Sequence, residues 1–228
     1  MYKYLDLARN SFKEIIKFYG LKQIYIPYYL CDVIRHSAFE VNCKPVFYHT
    51  DDNFLPEKDF KKDDFILYPN YFGVCDKNVK ILCNMYPNIV IDNTHSYFSA
   101  PSGRACFNSK RKFLPVNDGS DLWIEETQDN RKNYSDIIKT RLDIFHKIHG
   151  VLKNTNLMNI NECISPFCYP YLAENTQIAD DLVKKLDSLN IFRYWNELPK
   201  SYNEYKFYSR LVPVPISEDV LKFVKTEE

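Results

Sequence analysis

The stretch "IDNTHSYFSAPSGRACFNSKRKFLPVNDG" gathers an acid, a histidine, a serine and three consecutive cations within 29 residues. Asp92 closes an apolar run, His95 follows three positions later, and Lys112 stands behind Ser109, Lys110 and Arg111. Like charges disfavour an ammonium, so Lys110 and Arg111 are expected to push the Lys112 amine toward its neutral, nucleophilic form, which condenses with carbonyls to a Schiff base. A carboxylate at a strand end can hold a heterocyclic nitrogen protonated, as a pyridoxal phosphate ring requires. His95 could stack on a planar ring or donate to a ring substituent, and Ser109 and Arg111 are candidates for phosphate contacts by proximity. The residues taken alone leave plainer readings open. An acid at a strand end also caps a following helix, and a lysine run also forms a solvated face.

These residues need elements to position them. Leu5, Ala8, Phe12, Ile15, Ile16 and Tyr19 recur at helical steps before Gly20, which predicts a first helix with a glycine stop. "QIYI", "KPVFYH", "FILY" and "NIVID" read as short apolar strands, "CDVIRHSAFEVN" as a short helix, and residues 76–86 as a helix with Asp76 at its N-cap. Helices alternating with nearly all-apolar strands predict a parallel sheet covered on both faces, whose ligands bind beyond the strands' carboxyl ends, where Asp92 falls. After "DLWI", the polar "EETQDNRKNYSD" predicts a linker. Beyond it come a helix over 134–149, a strand in "FCYPYLA", a helix over 176–189 and an extended edge segment in "LVPVPIS". The expected units are residues 1–125 and 134–228.

With 228 residues, 45% of them hydrophobic, the chain can bury a core. Thirty basic and thirty acidic residues balance, so no global field favours nucleic acid or an anionic membrane. No apolar run suggests a leader or a membrane span, which makes the cytoplasm the expected location. Seven cysteines without a Cys-x-x-Cys pair signal neither a disulfide framework nor a zinc site, so buried, reduced thiols and no metal are expected. Five glycines are too few for a Gly-rich phosphate loop.

The order of an apolar strand, D-x-x-H and then S-x-R-K-x-L-P-V-x-D-G resembles the DegT/DnrJ/StrS family of pyridoxal-phosphate-dependent sugar aminotransferases. In that family the aldimine lysine is followed seven residues later by a glycine, as Lys112 is by Gly119, and the acid at the pyridine nitrogen is followed at plus three by His or Gln. "YIPYYLCDVI", "FEVNCKPVFYHTDDNFLP" and "NYFG" resemble pieces of the family's large domain; "PFCYPYLAEN", "SLNIFRYW" and "LVPVPIS" resemble its small one. The resemblance implies an α/β fold of the aspartate aminotransferase type (fold type I), a mostly parallel sheet flanked by helices with a small α+β C-terminal domain. It also implies pyridoxal 5'-phosphate held by Lys112, Asp92 and His95, with Ser109 a further cofactor contact by proximity alone. Amino transfer from glutamate to a keto-sugar nucleotide for glycan synthesis, and a homodimer, follow from the same likeness.

The sequence departs from the family in three places. Where relatives carry a small polar turn that cups the phosphate, this chain has Leu7 and Ala8, followed by Arg9 and Asn10. Where an aromatic ring stacks on the cofactor, it has Cys31. It also lacks most of the segment that relatives place between the glycine and the small domain. These departures support an alternative expectation, a shortened non-catalytic relative serving as an interaction or assembly module.

Overall fold

The computed structural model describes residues 1–228 other than 127, 130, 161, 190, 192, 194–197 and 225–228. Of "SLNIFRYW", Asn190, Phe192, Tyr194 and Trp195 lie outside the described residues.

The first helix, α1 (Ala8–Tyr19), buries Phe12, Ile15 and Ile16, and Gly20 at φ 60° ends it by donating to Ile16 and Lys17 carbonyls. A short strand, β1 (Tyr2–Leu5), precedes it. The helical periodicity gave no sign of this strand, because its side chains are largely exposed and backbone pairing holds it. Strands β2 (Gln23–Pro27), β3 (Lys44–Tyr48), β4 (Ile66–Pro69), β5 (Ile89–Asn93) and β6 (Ala105–Asn108) run parallel, and β7 (Ser120–Ile124) runs antiparallel to both β6 and β1. The sheet order is β1-β7-β6-β5-β4-β2-β3. Every residue of β4 to β7 is buried, which is why these strands read as apolar runs rather than alternating ones.

One face of the sheet is covered by α1 and α2 (Asp32–Glu40), whose Phe12, Ile16, Ile34 and Ala38 pack on Ile24, Leu67, Val90, Phe107 and Leu122. The other is covered by α3 (Asp76–Met85) and by the C-terminal elements. These are α4 (Ser135–Leu152), β8 (Cys168–Leu172), α5 (Thr176–Lys185), α6 (Asn203–Tyr208), β9 (Leu211–Pro215) and α7 (Glu218–Val224), with β8 and β9 forming an antiparallel pair. The apolar cluster is continuous from Ile66, Ile89 and Trp123 of the sheet to Phe145, Tyr169, Val212 and Val220. Among the described residues no helix is long and apolar enough to cross a membrane.

Asp76 departs from the expected role. Cys75 holds the N-cap position of α3, and Asp76 lies in the first turn. Its carboxylate instead accepts from Asn70 Nδ2 (2.7 Å), the Ile164 amide (2.9 Å) and Ser99 Oγ (3.3 Å). One acid thereby ties three separate loops together.

Candidate active site

A pocket of about 150 Å³ opens at the carboxyl ends of β4, β5 and β6, where an open parallel sheet places its ligands. Asp92, His95, Ser109 and Lys112 all line it, although they span 21 residues of sequence. Arg111 lines it as well. Leu7, Ala8 and Arg9 bring the start of α1 to the same space, and Cys31, which precedes α2, forms part of the rim. Cys31 is exposed, unlike the buried thiols expected; Cys43, Cys75, Cys106 and Cys168 are buried, and Cys83 and Cys163 are partly so.

Local hydrogen bonds fix the lysine's turn. Asn108, at the end of β6, donates through Nδ2 to Asp121 (3.1 Å) and accepts from the Asp121 amide (2.8 Å). Ser109 follows in extended conformation and leads into a 3-10 turn over Lys110–Lys112. The Lys110 amide donates to the Gly119 carbonyl (2.8 Å), and the Gly119 amide donates to the Asp6 carbonyl (2.5 Å). The Asp-Gly turn thus draws the start of α1 toward Lys112. Gly119 sits at φ 113°, and a Cβ there would overlap the Tyr4 hydroxyl, which gives the glycine seven residues after the lysine a physical reason.

Lys112 makes no hydrogen bond or ion pair with any described residue, and its Nζ lies 5.6 Å from the centre of the Phe167 ring. Burial pushes its pKa down to about 8, the charge on Arg111 adds a smaller effect, and Asp92 opposes both. The direction is the one expected from sequence, but the cause is different. Desolvation dominates, while Lys110 turns away to the Tyr4 ring at 5.6 Å. Asp92 is 4% exposed; burial raises its carboxyl, against hydrogen bonding from Thr94 and the Lys112 charge. The Thr94 amide donates to Asp92 Oδ1 at 2.8 Å.

His95 is buried, and burial together with the Lys112 charge holds it well below the usual imidazole range, hence neutral. Its ring stacks on Phe167 (4.7 Å, 14°) and lies 5.9 Å from Phe72. Phe72 and Phe167 lie in the "NYFG" and "PFCYPYLAEN" stretches, but nothing in either pointed to His95, because only the tertiary fold brings them to it. Phe72 is held at φ 54° beside Gly73 at φ 72°, and a Cβ on Gly73 would overlap the carbonyl oxygens of His95 and Ser165. The "NYFG" loop is therefore pressed between the histidine's turn and the C-terminal segment.

At the start of α1, Asp6 Oδ1 accepts from the Leu7 amide (2.8 Å), and Leu7 offers no side-chain cap. The amides of Ala8 and Arg9 donate to no described residue. With no acid in the first turn and Arg9 beside them, they leave the positive end of the helix facing the pocket, a setting that suits an anion.

No family model matches the sequence, and no curated protein does. Solved structures do match over nearly the whole chain. A DegT/DnrJ/EryC1/StrS aminotransferase from Brucella abortus is 13% identical, with 98% of this chain and 84% of that chain covered and a TM-score of 0.69. Helicobacter pylori PseC, an aminotransferase involved in the biosynthesis of pseudoaminic acid, is 13% identical, with 99% and 87% covered and a TM-score of 0.69. DesV of S. venezuelae, solved with a ketimine intermediate, is 12% identical, with 98% and 84% covered and a TM-score of 0.71. The chain has the fold of the pyridoxal-phosphate-dependent aminotransferases. Within that class, solved structures described as sugar aminotransferases are among those it resembles in architecture.

Proposed function

We propose that the pocket binds pyridoxal phosphate at Lys112 and that the protein is an aminotransferase, moving an amino group from an amino acid, glutamate by resemblance, to a keto-sugar nucleotide. The observation that carries this reading is the meeting of Asp92, His95, Ser109 and Lys112 in one pocket beside an uncapped helix start. The residues present suit the group. A buried carboxylate can accept from a protonated ring nitrogen, an unpaired amine of lowered pKa can attach to an aldehyde, and free amides can hold a phosphate.

When bound, pyridoxal phosphate supplies an electron sink for a carbanion. The chain's own residues do the rest. Asp92 keeps the ring nitrogen protonated. Lys112 Nζ would hold the cofactor's aldehyde carbon and would serve as the proton-carrying base at the donor carbon, a task suited to an amine whose pKa burial lowers to about 8. Ala8, Arg9 and Ser109 form the anion end. His95, stacked on Phe167 and with Phe72 also near its ring, lines the pocket and is held in place there. A homodimer working in the cytoplasm, with two small-molecule substrates, completes the reading.

Leu7 and Cys31 favour the second reading, a shortened non-catalytic relative serving as an interaction or assembly module, since neither supplies the polar turn or the stacked ring of the family pattern. Absorbance spectra of wild type and Lys112→Ala with added pyridoxal phosphate test the proposal. Wild type is expected to show a visible band that borohydride bleaches and fixes as a mass increment on the Lys112 peptide. Identical spectra from the two proteins would end it. A band in wild type that glutamate fails to discharge would assign the second reading.

A further inference from the structure

The wall beside Lys112 is aromatic and comes from segments distant in sequence. Phe167 stacks on His95, and Phe113 links Phe167 (5.8 Å), Phe98 (5.4 Å) and Tyr97 (6.0 Å). Two arginines grip the backbone of the segments that carry these rings. Arg131, from the segment read as a linker, donates to the carbonyls of Tyr97 and Ser99 (2.9 Å for the latter), and its guanidinium lies 5.3 Å from the Tyr97 ring and 5.1 Å from the Trp123 ring. Arg141, on α4, donates through Nη2 to the carbonyls of Pro166 (2.9 Å) and Phe167 (3.0 Å) and lies 5.1 Å from the Phe113 ring.

We propose that Arg131 and Arg141 are positioning residues that hold the His95–Phe167 wall against Lys112 and so keep water from the side of its amine that faces away from the pocket mouth. A surface role does not account for their placement. The Arg131 side chain is 5% exposed and is neutralised by Asp129 through Nε (2.8 Å) and Nη2 (2.5 Å). Arg141 has no carboxylate partner among the described residues, and its buried Nε is unsatisfied. Desolvating a guanidinium is costly. What offsets the cost here is the set of contacts the two guanidiniums make, planar donors reaching paired carbonyls and rings accepting the cation's face, and these contacts order the two backbone segments. A lysine can provide neither the fork nor the planar stack.

The test needs no cofactor and so stands apart from the functional reading above. Lys112 acetylation by a limiting anhydride is followed by peptide mass spectrometry across pH for wild type, Arg131→Lys and Arg141→Lys, with thermal unfolding recorded alongside. The other groups facing the amine are Asp92 on β5, His95, Cys31 before α2, neighbouring Arg111, and Cys168 on β8; all are unchanged in the variants. Loosening the wall rehydrates the amine, so the labelling midpoint should rise by about one pH unit and labelling at pH 7 should fall roughly tenfold. Folded variants that melt earlier but label like wild type would reduce the arginines to a purely structural role and overturn the proposal. If neither variant folds, Phe167→Leu decides the matter: it leaves both arginines and removes the ring, and an unchanged midpoint overturns the proposal equally.

Discussion

At the scale of the residue, the low pKa of Lys112 is a statement about stability. Its folded value is about 8, below the ordinary 10.5. Between those values the unfolded chain holds more protons than the folded one, so stability rises with pH through this window. Below pH 8 the ammonium is present in both states, and the folded state bears the full cost of its burial. Lys112→Met should therefore be more stable than wild type at pH 7. Because the amine reaches solvent through the pocket mouth, the gain is put at about 1–3 kcal/mol. It should shrink as pH rises from 8 to 10, as denaturant titrations at several pH values would show; a constant gain would mean that the amine is not desolvated. Asp92 bears a cost of the same kind, since burial raises its carboxyl and the ionised form is the disfavoured one when folded.

At the scale of the element, the "NYFG" loop after β4 is the piece with least freedom. Phe72 is fully buried with a positive φ, and Gly73 touches the backbone on two sides. The Phe167 amide donates to the Phe72 carbonyl (2.8 Å), and Asp76 just beyond accepts from Ile164. Gly73→Ala has no compliant neighbour, since the obstacles are carbonyl oxygens and not flexible side chains. It should lose more than about 3 kcal/mol in urea unfolding. A loss below about 1 kcal/mol would show that the loop and the C-terminal segment can separate without cost.

At the scale of the whole molecule, the C-terminal elements share one apolar cluster with the second face of the sheet. A polar lock adds to it. Glu204 on α6 is 4% exposed and accepts from His49 Nδ1 (2.9 Å) and the Thr50 amide (3.1 Å), just after β3. Shared burial predicts one cooperative unfolding transition, with tryptophan fluorescence and far-ultraviolet dichroism coincident. Glu204→Ala should shift that single transition downward by about 2 kcal/mol, because the Thr50 amide is left without its partner. Two resolved transitions in wild type would show that the two parts fold separately.

The sequence by itself determined the helices whose side chains alternate between core and water, α1 through Phe12, Ile15 and Ile16 and α3 through Val79 and Leu82, and the strands buried on both faces, β4 and β5, through their unbroken apolar runs. It also pointed to Asp92, His95, Ser109 and Lys112, because their spacing along the chain is itself the motif. It could not reveal β1, whose exposed residues carry no burial pattern, nor the buried Arg131 within a polar stretch. The surroundings of Lys112 were decided by the tertiary structure alone. Phe167 reaches it from beyond residue 134, with Arg141 bound to the Phe167 carbonyl, and the desolvation that sets its proton affinity is a property of packed neighbours, which local spacing does not encode.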